Sequence, residues 1–151
     1  LGDRARDLNP PNSGCYARPC SPVQPRSGAA PVCQPPAPAV TSDQQLRSAF
    51  ERRQSNLQIA GSGTVIRLLP DDLEGSRHQR FILRLRSGQT VLVTHNIDLA
   101  PRVASLRVGD IVAFYGEYEW SEAGGVIHWT HHDPVGRHVA GWLKHKGKTY
   151  Q

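Results

Sequence analysis

Residues 57–69 read LQIAGSGTVIRLL, and the fold class turns on how this stretch is read. Apolar and polar residues alternate with a period of two around Gly61 and Gly63, the pattern of a half-buried strand rather than a helix. Glycine inside such a run marks a bulge or a sharp bend. A first strand that curves at its glycines suits a small closed β-barrel.

The same period continues downstream. HQRFILRLRS (78–87) places Phe81, Leu83 and Leu85 on one face and His78, Arg80, Ile82, Arg84 and Arg86 on the other. SGQ then turns the chain into TVLVTH (90–95), completing a hairpin. DLAPRVASLRVGD (98–110) carries Leu99, Val103 and Leu106 and is expected to form a short helical turn. IVAFYGEYEW (111–120) and VIHWTHH (126–132) flank SEAGG, whose glycines supply the turn of a second hairpin. Upstream, Ser42 is followed three residues later by Gln45, a capping-box pattern, and Leu46, Ala49 and Phe50 recur at helical spacing. One helix is therefore expected near 43–54.

One helix and five strands describe a mainly β domain, a five-stranded OB-fold-like barrel, with an open α+β sheet as the competing architecture. The C-terminal DPVGRHVAGWLKHKGKTYQ is polar and glycine-rich, and is expected to wrap the barrel irregularly, anchored by Trp142, Leu143 and Tyr150. Residues 1–40 stand apart. They hold nine of the twelve prolines, all three cysteines and almost no Leu, Ile, Val or Phe. Such a segment cannot offset its ordering entropy and reads as a disordered Pro/Cys-rich leader, leaving 41–151 as the folded domain. The spacing of Cys15, Cys20 and Cys33 matches no usual zinc pattern, and their pairing is left open.

The formal net charge is +5, and its distribution is uneven. Six arginines and one acid lie between Arg77 and Arg107, whereas five acids and no Lys or Arg lie between Asp110 and Asp133. That asymmetry suits a surface that binds an anionic ligand, nucleic acid included. Arg80, Arg84 and Arg86 with Tyr115, Tyr118, Trp120 and Trp129 have the residue types with which OB-folds hold single strands, although at least half of these rings belong in a core. No apolar run is long enough to span a bilayer. The chain contains no methionine, which fits a processed form, a truncated one or an unusual start codon; a removed secretory signal would fit, but none is visible.

HWTHHDPVGRH (128–138) is the densest chemical stretch, with four histidines, an aspartate and an arginine. In an extended strand His128, Thr130 and His132 share one face and Trp129 and His131 the other, and His128 and His132 are roughly 13 Å apart. A metal site would need the strand to bend near His131, and Asp133-Pro134 signals a turn there. His131, His132, Asp133 and His138 are then the candidate ligands, with zinc the fitting ion, or calcium or magnesium in a nuclease. As catalytic groups, His131, His138 and His78 are the acid/base candidates beside an arginine. Glu117 and Glu119 share a strand face beside this strand and could orient imidazoles, act as acid/base groups or face water. Arg80, Arg84, His95, His128 and Trp129 are the ligand-binding candidates. The plainer account has the histidines capping strand ends by hydrogen bonds.

GSGTVIRLLPDDLEGSRHQRFIL, THNIDLAPR, GDIVAFYGEYEW and GGVIHWTHHDPVGRH, taken together, closely resemble a bacterial family known as domain of unknown function 3465, marked by the HWTH motif, here His128–His131. The resemblance covers about 44–151 and implies a small exported or envelope-associated protein, with no established activity. GTVIRLLPDD and LRVGDIVAFYGEY also look like strands of periplasmic OB domains and staphylococcal-type nucleases. Asp71, Asp72, Glu74, Arg80 and Arg84 match nuclease requirements by type, with no motif to align them. Three functions are therefore carried forward: an anion-binding domain, a phosphodiesterase or nuclease, and a structural or partner-binding envelope module.

Overall fold

A computed structural model describes residues 41–151; the leader and its cysteines lie outside the described residues. Helix α1 spans Ser42–Glu51. Its cap is Thr41 rather than Ser42. The Thr41 hydroxyl accepts from the Gln44 amide while the Gln44 side chain accepts from the Thr41 amide, a reciprocal capping box one residue earlier than expected.

Seven strands follow: β1 (Leu57–Asp72), β2 (His78–Arg84), β3 (Thr90–Asn96), β4 (Ile111–Glu119), β5 (Val126–His128), β6 (Trp142–His145) and β7 (Lys148–Tyr150). Their order is β1-β2-β3-β5-β4-β6-β7, and β1 also pairs with β4. The first five strands thus close into a ring in which β3 and β5 run parallel and the other pairs antiparallel. This is the expected OB-fold-like, mainly β class.

Closure depends on β1. Its first half, Leu57–Thr64, pairs with β4, and its second half, Thr64–Asp72, pairs with β2. Gly61 sits where the Phe114 ring packs against the backbone: a Cβ there would lie 2.7 Å from Cζ of that ring. The glycine lets the strand curve over the core.

Inward positions alternate as the sequence requires. Phe81 and Leu83 of β2, Val91 and Val93 of β3, Val112, Phe114 and Tyr118 of β4, and Ile127 of β5 are buried together. Burying each of the larger side chains contributes about 1.5–3 kcal/mol. Leu46 and Ala49 of α1 complete one end of this core. The helix is tied there by Trp120 Nε1 donating to the Phe50 carbonyl and by Gln89 Nε2 donating to the carbonyls of Leu46 and Gly124.

The connection over 98–110 forms isolated turns instead of the expected helical turn. Pro101 withholds an amide, Ser105 is left-handed (φ 55), and the Gln79 side chain clamps Val103 by both its N–H and its C=O. Residues 133–141 are irregular, as expected, and so are 129–132, which the sequence pattern assigns to the strand; beyond them the chain returns to sheet. The β6–β7 hairpin turns at Lys146-Gly147 and extends the sheet from β4, with Leu143 and Tyr150 buried. No helix among the described residues is long and apolar enough to cross a membrane.

Candidate functional site

Strand β5 stops after three residues because Trp129 takes a left-handed backbone (φ 56), which ends the alternation of faces. The chain then presses onto β4. Gly141 makes this possible: a Cβ there would meet the Trp129 carbonyl at 2.0 Å and the Tyr115 carbonyl at 2.5 Å. Its amide donates to the His131 carbonyl.

Thr130 is driven inward and fully buried beside His95. The Thr130 hydroxyl lies 2.8 Å from His95 Nδ1, and His95 Nε2 lies 2.9 Å from the Pro101 carbonyl. Since a carbonyl can only accept, Nε2 carries the proton and Nδ1 accepts from Thr130. Burial is the main cause that lowers the His95 pKa to about 4. The Pro101 hydrogen bond works against it, and His131 and His78 add smaller repulsions. A hydroxyl paired with a neutral imidazole has the form of an activated nucleophile, but both groups are sealed in the interior. Their role is to pin the HWTH segment.

The loop after Thr130 is organised by Asp133, whose carboxylate accepts from the amides of Val135, Arg137 and His138. These bonds hold its pKa below the ordinary carboxylate range. They also bring His138 back over the strand end. Its ring stacks on Trp129 at 4.0 Å between centroids and 9° between planes, and His131 lies 5.3 Å from the same indole. His138 Nδ1 donates to the Val139 carbonyl, and Nε2 makes a close contact with Glu117 Oε2. Partial burial disfavours the charge on His138. The bonds to Glu117 and Val139, with the charges of Glu117 and Asp133, outweigh it and raise the pKa.

The other Glu117 oxygen faces β5. On the outer surface of the β4–β5 pair Glu117 is opposite His128, and Glu119 lies two residues on. His128 Nε2 is 3.8 Å from Glu117 Oε1 and 3.4 Å from Glu119 Oε1. That nitrogen is shielded from solvent and has no hydrogen-bond partner.

The candidate residues therefore divide into separate places. His78, Thr94, Asn96, His128, Trp129 and His131 line a groove of about 240 Å³. His78 and His131 each give Nδ1 to a backbone carbonyl, of Ser76 and His132 respectively. Arg84 lies elsewhere, walling with Arg86 a groove of about 420 Å³ that shares no residue with the first. Arg80 is turned aside to the Pro70 carbonyl.

His131, His132, Asp133 and His138 do not come together as ligands. Asp133 is occupied by amides, His138 by Glu117, and His132 is exposed. Among the described residues the metal-ligating side chains that do converge are Glu117, Glu119 and His128, whose ligand atoms lie within 4.8 Å of one another. Of the nuclease-type residues, Asp71 pairs with Arg102 and Asp72 accepts from the Glu74 amide.

One surface was not singled out from sequence. Trp142, expected as an anchor, is half-exposed on β6 beside Tyr115 of β4 (6.1 Å between centroids), with Lys144 Nζ 4.3 Å from the indole centroid. The alternation of WLKH, with Leu143 and His145 inward, was the signal for it.

The family model described as "Protein of unknown function (DUF3465)" matches residues 30–151. No curated protein matches the chain.

Proposed function

The chain belongs to the DUF3465 family, and from that premise we propose that it is a binding domain for an anionic polymer, single-stranded nucleic acid, held on the outer face of β2, β1, β4 and β6. One observation carries this reading: the groove on that face is walled by Arg84 and Arg86 and has no carboxylate among its lining residues, while Glu117 and Glu119 stand at the far end of β4. The groove there is lined by Ser62, Gly63, Thr64, Ile66, Arg84, Leu85, Arg86 and Ile111. In register with it, Ser62 lies beside Ala113 and Ala113 beside Lys144, while Ala60, Tyr115 and Trp142 form the next row. From Arg84 to Lys144 is three strand spacings, about 14 Å. Guanidinium and ammonium groups at the two margins suit successive phosphates, and the Tyr115–Trp142 pair, one row beyond Lys144, offers rings on which bases stack.

The test is fluorescence anisotropy of a labelled single-stranded oligonucleotide over a range of salt concentrations. Affinity is expected to fall steeply with salt, and Arg84→Ala or Lys144→Ala to reduce the log–log slope by about one each. Trp142→Ala should cost about 1–3 kcal/mol of binding. Binding indifferent to salt, or unchanged by all three substitutions, sinks the reading.

Hydrolysis of a phosphodiester is the second reading, and it rests on the histidine groove. With Nδ1 of His78 and His131 donated to carbonyls, Nε2 of each holds the lone pair a general base requires. It predicts cleavage of DNA or RNA that is lost in folded His131→Ala protein. Intact substrates after incubation with calcium, magnesium, manganese and zinc in turn count against it.

A further inference from the structure

We propose that Glu117, Glu119 and His128 form a binding site for a transition-metal dication of the zinc class, on the outer surface of the β4–β5 hairpin and sharing no residue with the Arg84–Arg86 groove. The backbone register prepares it. Glu117 and Glu119 project from the same face of β4, and His128 of β5 is the cross-strand partner of Glu117, so one imidazole nitrogen stands between two carboxylates.

The spacing is that of a coordination shell rather than of a hydrogen bond. Bonds of about 2.1 Å to a tetrahedral dication put neighbouring ligand atoms about 3.4 Å apart. His128 Nε2 lies 3.4 Å from Glu119 Oε1 and 3.8 Å from Glu117 Oε1, and it is aligned for a hydrogen bond with neither. A shielded nitrogen without a partner is costly, and two carboxylates beside it repel each other. One dication relieves both penalties.

The surroundings match what metal ligands need. Glu117 uses Oε1 toward His128 while Oε2 is held by His138, whose ring is fixed by the Val139 carbonyl and by stacking on Trp129. Such outer contacts orient ligating carboxylates. Glu119 is half exposed, so the site opens to solvent on one side and leaves a position for water or a small anion. One imidazole and two carboxylates favour zinc, cobalt(II) or manganese(II) over a purely thiolate-seeking ion, and the imidazole disfavours magnesium and calcium.

The experiment is titration of the full chain with Zn²⁺ by calorimetry and with Co²⁺ by visible absorption. One ion per chain is expected at this site, with a cobalt spectrum of low-coordinate N/O type. Glu119→Gln and His128→Ala, each checked for folding by circular dichroism, should lose more than tenfold in affinity. His138→Gln should lose roughly ten- to hundredfold, as an orienting contact does. Exposed His132→Ala should bind as the parent does. Affinity unchanged in Glu119→Gln, or a cobalt spectrum dominated by sulfur charge transfer from the leader cysteines, overturns the assignment. So does the absence of any binding.

Discussion

His95 shows what a single residue contributes here. Its neutral ring joins Thr130 to the Pro101 carbonyl inside the barrel end, and burial brings its pKa to about 4 from 6.5. Between these values the unfolded chain binds more protons than the folded one, so stability rises with pH across that window. The contribution is fully present above pH 6.5 and is lost as pH falls toward 4, a change of roughly 3 kcal/mol. Urea unfolding across this range should show the slope, and His95→Gln should remove it; an equal slope in the variant refutes the account. The carboxylates of Asp98, Asp110 and Asp133, all with lowered pKa, lose their contribution at lower pH, so the two effects separate. His95 was read from sequence as a ligand-binding candidate. Its burial depends on a partner 35 positions away, which no local pattern records.

At the scale of elements, the strands that form the ring were legible because one face of each is buried and the period of two follows directly. The helix start was offset because TSDQQ offers two overlapping capping boxes, Thr41 with Gln44 and Ser42 with Gln45, and only geometry chooses. Thr41→Ala should therefore destabilise by about 1 kcal/mol while Ser42→Ala changes little, measured by thermal unfolding. Equal effects of the two substitutions would contradict the cap. The β6–β7 hairpin was hidden because a Lys-Gly turn inside a polar tail resembles an ordinary loop. The bend at Trp129 was hidden for a different reason: bulky residues rarely take positive φ, and here the close packing of Gly141 imposes it. Gly141→Ala should cost about 1–3 kcal/mol or more, because the added carbon meets two backbone carbonyls that cannot turn away. It should also disturb the stacking of His138 on Trp129, read as a change in indole fluorescence. A variant with parent-like stability and emission would refute that role. That Glu117 and Glu119 face the His-rich strand was legible from their shared strand face, but which imidazoles they meet required the register across SEAGG, which places Glu117 opposite His128.

For the molecule as a whole, the Arg84–Arg86 groove and the Glu117–Glu119–His128 cluster share no residue, so the two can be altered independently. Arg84→Ala should leave metal affinity unchanged, and Glu119→Gln should leave the salt dependence of oligonucleotide binding unchanged; coupling between them in a double mutant would show that they form one site. The ring has one more consequence, which concerns time. Leu57 of β1 pairs with Tyr118, and Thr64 with Ile111, so the first strand to leave the ribosome lacks its β4 partner until about half the domain has followed. Closure joins segments 47 to 61 residues apart in the chain, and the loop entropy must be met before any of that pairing stabilises the structure. Folding should accordingly take milliseconds to seconds, in the range of non-local β-barrels rather than helical bundles. During that interval the glycine-rich half of β1 is an unpaired edge.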